Sequence, residues 1–302
     1  MSSKTRKLVL FSVLLSLCLG LAVPTLADDE PEHLLGTCDR AALSEEPFAE
    51  WFHAGYEGYT PNPEVLERLR ALDSDDVELT VFFGTWCGDS RREVPHLLKL
   101  ADSLGLGEGA VNLVALDRAE GAHKRSPGGE EVGREIYRVP TIVVERGGQE
   151  VARLVEYPAL SLERDLSTIL AGEPYRASYA SYPTVRRWLA DGLLADDNVS
   201  PDGLADQVRN LISSEWELVA PARVLFDRGQ TAEGLKLYLV NRALHWQSAD
   251  AHARLAKALH TLGDLEAART SAERALRRSN DPDTTDAMLD LLAELGNDGS
   301  GA

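Results

Sequence analysis

The cysteine at position 87 lies where the sequence changes from an apolar run to a helical pattern. Residues 79–83 are mostly apolar and predict a short buried strand. A polar pentapeptide comes next, and apolar residues then recur at helical spacing up to residue 104; the pentapeptide is Trp86, Cys87, Gly88, Asp89 and Ser90. A thiol at a helix N-terminus meets free backbone N–H groups and the positive end of the helix dipole, which favour the thiolate. Because the thiolate is the nucleophilic form, this pattern predicts a redox-active cysteine.

These residues resemble the redox motif of the thioredoxin family, Trp-Cys-Gly-Pro-Cys. Trp86, Cys87 and Gly88 match it, and Pro95 occupies the position of a proline in the family's active-site helix. The family also has a cis-proline that faces the cysteine, and the sequence Val139-Pro140-Thr141 resembles that element. The matches extend over roughly a hundred residues, the size of one domain. The resemblance implies a thioredoxin fold in which residues 139–141 line a groove beside Cys87.

Two departures from the family pattern concern the chemistry. Ser90 stands where the family has its second cysteine, and Val81 stands where it has a buried acidic residue. A serine cannot resolve a mixed disulfide, and a valine cannot relay a proton. The dithiol exchange of the family therefore cannot run here by its usual route.

The first of three hypotheses for Cys87 is monothiol exchange. The thiolate attacks a protein disulfide or a glutathionylated protein, and an external thiol such as glutathione then releases the mixed disulfide. Ser90 would donate a hydrogen bond to the thiolate, whereas the charge of Asp89 would oppose it. This hypothesis, which we favour, makes the protein a thiol–disulfide oxidoreductase or isomerase.

The other two hypotheses give Cys87 a different role. In one, Cys38 is its resolving or disulfide partner; such a bond would close a loop of about 50 residues and add roughly 4 kcal/mol of stability. In the other, the protein is a non-catalytic module that binds peptides in the groove beside Trp86 and Pro140, since a fold does not fix a function.

None of the three hypotheses requires a cofactor. We also expect no metal site, because no Cys/His cluster has zinc spacing.

The charge of the chain limits its partners. A formal net charge of −18 over 302 residues repels the phosphates of nucleic acid and the surface of anionic lipids. We therefore expect no nucleic-acid partner.

The first 27 residues have the layout of a secretory signal peptide. A basic start is followed by an apolar segment and by the small residue Ala27. We expect export to an oxidising compartment, most simply the bacterial periplasm. Two alternatives would hold the chain at a membrane: an uncleaved leader, or lipidation of Cys18, whose preceding residues resemble a lipobox.

The remaining pattern predicts a mixed α/β region. Residues 28–59 form an acidic extension whose aromatic residues favour a helix packed on the core over a peptide-binding lip. Residues 60–172 form the thioredoxin-like domain. Its predicted helices are 61–72, 90–104, 130–137 and 161–170, its predicted strands are 79–83, 111–116, 141–145 and 150–155, and residues 118–129 are a polar loop.

The C-terminal part is helical in pattern. Residues 173–210 are a linker with helices, and residues 211–296 resemble tetratricopeptide repeats. Residues 249–280 fit that repeat well, a degenerate copy lies 34 residues upstream, and 286–295 form a closing helix. Such helices either bind a protein partner or support the redox domain. The predicted fold class is α/β: a thioredoxin fold followed by an α-helical, repeat-like domain.

Overall fold

The described part of the structure contains one five-stranded sheet with β2 (Val77–Phe83) at its centre. The computed structural model describes residues 33–72, 76–107, 109–119 and 121–298. Within them, five strands form one mixed sheet of order β1-β3-β2-β4-β5. The strands are β1 (Gly36–Cys38), β2 (Val77–Phe83), β3 (Val111–Ala115), β4 (Thr141–Arg146) and β5 (Gln149–Val155). Strands β2 and β3 are parallel, and the other pairs are antiparallel.

One face of the sheet packs against helices. These are α1 (Arg40–Leu43), α2 (Ala49–Gly58), α3 (Pro63–Arg70), α4 (Gly88–Leu104) and α5 (Leu162–Leu170). Val81 and Phe83 of β2 point into this core with Leu97 of α4, and Phe52 of α2 is buried there too. The aromatic helix predicted within residues 28–59 therefore packs on the core, because it lies against α4 and buries Phe52 there.

The opposite face is covered by the segment between β3 and β4. Phe82 points to this face, and Ile136 and Val139 from the covering segment pack on it. The predicted helix at residues 130–137 is wrong: residues 130–133 form turns, and residues 134–137 have no regular secondary structure. The backbone has positive φ at Gly133 (73°) and Glu135 (47°), which a right-handed helix does not allow.

The C-terminal helices follow without another strand in the described residues. They are α6 (Tyr182–Ala190), α7 (Pro201–Val208), α8 (Trp216–Asp227), α9 (Thr231–Leu244), α10 (Ala249–Thr261), α11 (Leu265–Leu276) and α12 (Pro282–Asp298). Helices α8, α10 and α12 begin at residues 216, 249 and 282, a constant interval of 33. The structure thus confirms an α/β region followed by a helical one.

Two apolar cores hold the helical region together. The first surrounds the fully buried Trp188 and includes Tyr137 and Val155, so it joins the helices to the sheet. The second lies between α10, α11 and α12, where Ala256, Ala268 and Ala272 are fully buried and allow close packing. No helix among the described residues is long and apolar enough to span a membrane. The predicted signal peptide, residues 1–27, and Cys18 lie outside the described residues.

Candidate functional site

The sulfur of Cys87 lies at the junction between β2 and α4. Strand β2 ends at Phe83, a short turn follows, and Cys87 occupies the N-cap of α4 with φ −95° and ψ 125°. Its backbone N–H donates to the carbonyl oxygen of Gly84 (2.9 Å), which closes the turn. The thiol is half-buried. The N–H groups of the first turn of α4 are thus directed towards a cysteine that a substrate can reach.

A backbone carbonyl group faces the thiol from the other side. The Cys87 thiol donates a hydrogen bond to the carbonyl oxygen of Val139, with Sγ and O 3.2 Å apart. The Val139–Pro140 peptide bond is cis, and the Thr141 hydroxyl donates to the Arg138 carbonyl oxygen (2.8 Å). The structure therefore brings residues 139–141, predicted from the resemblance, beside Cys87.

The indole of Trp86 is fixed against the turn. Its Nε1–H donates to the carbonyl oxygen of Leu116 (2.8 Å), and its ring centroid lies 6.1 Å from that of His123. A Cβ added at Gly84 would lie 2.5 Å from Trp86 Cε2. Glycine at position 84 is therefore what allows the indole to lie over the turn.

The other residues of the pentapeptide serve the helix start. Ser90 is fully buried, and its Oγ accepts a hydrogen bond from the Gly84 N–H (3.2 Å). No hydrogen bond joins Ser90 to the Cys87 sulfur among the described residues. Asp89 is paired with Arg92, 2.8 Å away, so part of its charge is neutralised. At Gly88 a Cβ would meet nothing within 4 Å, so this position has room for a side chain.

The structure does not bring Cys38 to Cys87. Both thiols are free, and Cys38 pairs with Leu113 on β3, which in turn pairs with Val81 on β2. Two strand spacings, about 10 Å, thus separate Cys38 from the strand that leads to Cys87. A disulfide needs Cα atoms within about 7 Å. Burial, followed by the charge of Asp39, raises the pKa of Cys38 to about 11.

Three cationic or basic side chains near Cys87 were not predicted from the sequence. Lys124 and His123 lie in the segment between β3 and β4, and Arg138 immediately precedes Val139. Burial, followed by the charge of Lys124, lowers the pKa of His123 to about 3, so its imidazole is neutral at physiological pH. No local pattern marks these residues, because they approach the site only through the path of the segment.

Arg138 connects the site to the helical region. Its Nη1 donates to both carboxylate oxygens of Glu156 (2.9 and 3.1 Å), and its Nε donates to the Tyr182 hydroxyl (2.8 Å). Its Nη2 donates to the carbonyl oxygen of Trp216 in α8 (3.0 Å). The guanidinium also lies over the ring of Tyr179, 4.4 Å from the centroid. The residue next to Val139 is thereby held by two helices of the C-terminal part.

Comparisons with known proteins add no family name. No family model matches the chain, and no curated protein matches it. The functional argument therefore depends on the geometry of the site.

Proposed function

We propose that this protein carries out thiol–disulfide exchange on proteins through Cys87, as a monothiol centre on a thioredoxin-like fold. One observation carries the proposal: the half-buried Cys87 thiol lies at the N-cap of α4 and 3.2 Å from the carbonyl oxygen of Val139. The positive end of the dipole of α4 therefore lies beside this cysteine, a position at which helices favour negative charge.

The order of elements supports the thioredoxin-like interpretation of the sheet. Strand β2 is central, α4 follows it directly, and the cis Pro140 immediately precedes the neighbouring strand β4. The 33-residue interval between α8, α10 and α12 supports a tetratricopeptide-like interpretation of the helices.

The exchange proceeds in two displacements. The Cys87 thiolate attacks one sulfur of a substrate disulfide; a Cys87–substrate disulfide forms, the original S–S bond breaks, and the second sulfur leaves as a thiolate. An external thiolate, such as that of glutathione or the substrate's own second cysteine, then attacks the mixed disulfide and displaces Cys87. One disulfide is consumed and one is formed in each step, so no electron acceptor is needed.

The position of Ser90 explains why an external thiol is required. Its buried hydroxyl is engaged with the Gly84 N–H at the base of the turn. Cys38, the other thiol of the described residues, lies across the sheet. The mixed disulfide therefore persists until a second thiol arrives, which suits isomerisation and the removal of glutathione from proteins.

The test compares two variants, each with one cysteine replaced. Both are assayed for release of glutathione from a glutathionylated peptide, with glutathione as the second substrate. We expect Cys38→Ala to retain the wild-type rate and Cys87→Ala to lose it, with the midpoint of urea unfolding unchanged in both. A Cys87→Ala protein that is folded and fully active would refute the proposal and favour the non-catalytic peptide-binding alternative.

Exposed aromatic side chains in the helical region favour a second, related role in holding protein substrates. Trp246, after α9, is 58% exposed, and Trp216 at the start of α8 is 49% exposed. Large exposed aromatic residues are typical of protein-binding surfaces. We expect Trp246→Ala to slow exchange with a protein disulfide but not with a small disulfide; an equal effect on both would exclude this role.

A further inference from the structure

A lysine without a carboxylate partner is buried near the candidate site. Lys124 is 8% exposed and His123 is 9% exposed. The Lys124 Nζ lies 2.5 Å from the His123 Nε2, which accepts the hydrogen bond because the imidazole is neutral. No carboxylate forms an ion pair with Lys124 in the described part of the chain. A buried ammonium group lacking a counterion is costly, so its retention calls for an explanation.

The groups that face Lys124 come from four parts of the fold. Arg223 of α8 and Arg138 before β4 repel its charge, whereas Cys87 and Glu156 after β5 attract it. Glu156 is already occupied, since it accepts hydrogen bonds from Arg138 and from the Tyr179 hydroxyl. Burial and the two arginines lower the pKa of Lys124 to about 8, so the amine is still mainly charged at pH 7. The geometry places Lys124 beside the site, since the ring of its hydrogen-bond acceptor, His123, lies 6.1 Å from the ring of Trp86, the residue before Cys87.

Helix α8 brings a second cation to the same place. The Arg223 Nε lies 3.5 Å from Asp227 Oδ2, and its side chain is 53% exposed. The Asp227 carbonyl oxygen accepts a hydrogen bond from Arg125 Nη2 (2.7 Å), which ties the end of α8 to the segment that carries Lys124. The helical region therefore supplies a solvent-accessible guanidinium beside the buried ammonium.

A local excess of positive charge contrasts with the rest of the chain. The formal net charge of −18 disfavours the approach of acidic molecules in general. A cationic pair next to the reactive thiol would attract acidic molecules to the site despite the negative net charge of the chain. An anionic group of a bound substrate would also supply the counterion that Lys124 lacks.

We propose that Lys124 and Arg223 hold a carboxylate of the substrate close to its sulfur, so that Cys87 selects acidic disulfides. This inference rests on the proposed exchange function and names its substrate class. The carboxylate belongs either to a small acidic disulfide or to an acidic residue flanking a cysteine in a protein. In both cases Lys124 and Arg223 contact the substrate while Cys87 reacts with it.

The first experiment measures the charge around Cys87 without requiring any exchange activity. In the Cys38→Ala background, Cys87 is alkylated with anionic iodoacetate and with neutral iodoacetamide. Both reagents react with the same thiolate, so the ratio of the two rates reports the local potential and not the thiolate fraction. We expect Lys124→Met and Arg223→Met each to lower the iodoacetate-to-iodoacetamide ratio about threefold to tenfold, the effect of one unit charge across partly wet protein.

Arg277→Met is the matched control. Arg277, the C-cap of α11, also forms an i,i+4 ion pair, with its Nη1 3.7 Å from Glu273 Oε2, although its acid precedes it, and it is similarly exposed. We expect this variant to leave the ratio unchanged. An unchanged ratio in both site variants, or an equal fall in the control, would overturn the proposal.

The second experiment distinguishes the sources of the carboxylate. Exchange rates are measured with glutathione disulfide, with cystamine as its cationic counterpart, and with peptide disulfides flanked by Glu or by Lys. A preference for glutathione disulfide that Lys124→Met and Arg223→Met abolish assigns the site to small acidic disulfides. If only the Glu-flanked peptide is preferred, and Lys124→Met and Arg223→Met abolish that preference, the site is assigned to acidic residues of protein substrates. Equal rates with acidic and basic substrates would overturn the selectivity, whereas no exchange with any substrate would refute the proposed function and leave the alkylation result intact.

Discussion

The bonds of Arg138 predict a large loss of stability when its guanidinium is removed. Arg138 and Glu156 are each only 17% exposed, and the guanidinium joins Glu156, Tyr182 and the Trp216 carbonyl oxygen. In Arg138→Met the aliphatic stem keeps much of its packing. The Glu156 carboxylate, however, stays buried and loses the cation that balances it. The junction between the sheet and the helical region is weakened at the same time.

The magnitude follows from breaking a mostly buried ion pair by removing one partner. Such changes cost about 3–5 kcal/mol, because the remaining charge is left uncompensated. For a chain of 302 residues, a loss of 1 kcal/mol lowers Tm by about 2 °C, so we expect a fall of about 6–10 °C. Replacing both partners, in Arg138→Met/Glu156→Gln, removes the stranded charge and should restore about half of the loss.

The assay is urea unfolding at pH 7, followed by circular dichroism and by the tryptophan fluorescence. Arg209→Met is the control, since Arg209 forms an exposed ion pair with Asp206 (2.8 Å) and should change stability by at most about 0.5 kcal/mol. A loss below 1 kcal/mol in Arg138→Met, or one no larger than in Arg209→Met, would refute the reasoning that this pair holds the junction.

Three further predictions concern single positions in and around the site. Gly84→Ala should lose about 1–3 kcal/mol of unfolding free energy, because its Cβ would lie 2.5 Å from Trp86. Gly88→Ala is the control and should lose nothing, because the space around its Cβ is open. Equal losses in the two variants would contradict this account. Lys124→Met should raise the free energy of unfolding by about 3 kcal/mol at pH 7, because burial lowers the pKa of Lys124 from 10.5 to about 8. Between pH 8 and 10.5 the folded wild type binds fewer protons than the unfolded chain, so the stability of the wild type rises with pH. The stability difference between Lys124→Met and the wild type should therefore shrink over this range. A difference that does not change with pH would contradict the prediction. Cys38 should resist alkylation in the folded protein at pH 8, since a pKa of about 11 leaves about one thiol in a thousand ionised; labelling as fast as in urea would contradict its burial.

The elements that the sequence predicts well are those with a local periodicity. Strand β2 and helix α4 carry clear apolar patterns, and the structure has them within two residues of the predicted bounds. Helices α10 and α11 also follow from a pattern contained within one repeat. Strand β1 has three residues and no periodicity, so nothing in its own sequence indicates that it pairs with β3.

The predicted helix at residues 130–137 shows where local patterns fail. The segment includes good helix formers, but the backbone is left-handed at Gly133 and Glu135. The segment instead covers the sheet through Ile136 and Val139, and this tertiary packing overrides the local preference.

The residues of the site also differ in whether the sequence predicts them. Cys87, Val139 and Pro140 could be named from the motif residues and their order along the chain. Lys124 and Arg223 could not, since they are about a hundred residues apart and meet only because α8 packs against the segment after β3. The proposed role of Lys124 depends on its burial and on the absence of an ion pair to it in the described residues, neither of which a sequence pattern records.

The most direct test of the central claim is the mass of the protein after reaction with a disulfide. Cys18→Ala/Cys38→Ala protein is incubated with glutathione disulfide, its intact mass is measured, and the adduct is mapped by peptide digestion. We predict one glutathione per chain, located on Cys87 and released by added glutathione. A folded protein that forms no adduct at Cys87, or an adduct that added thiol does not release, would contradict monothiol exchange at this site.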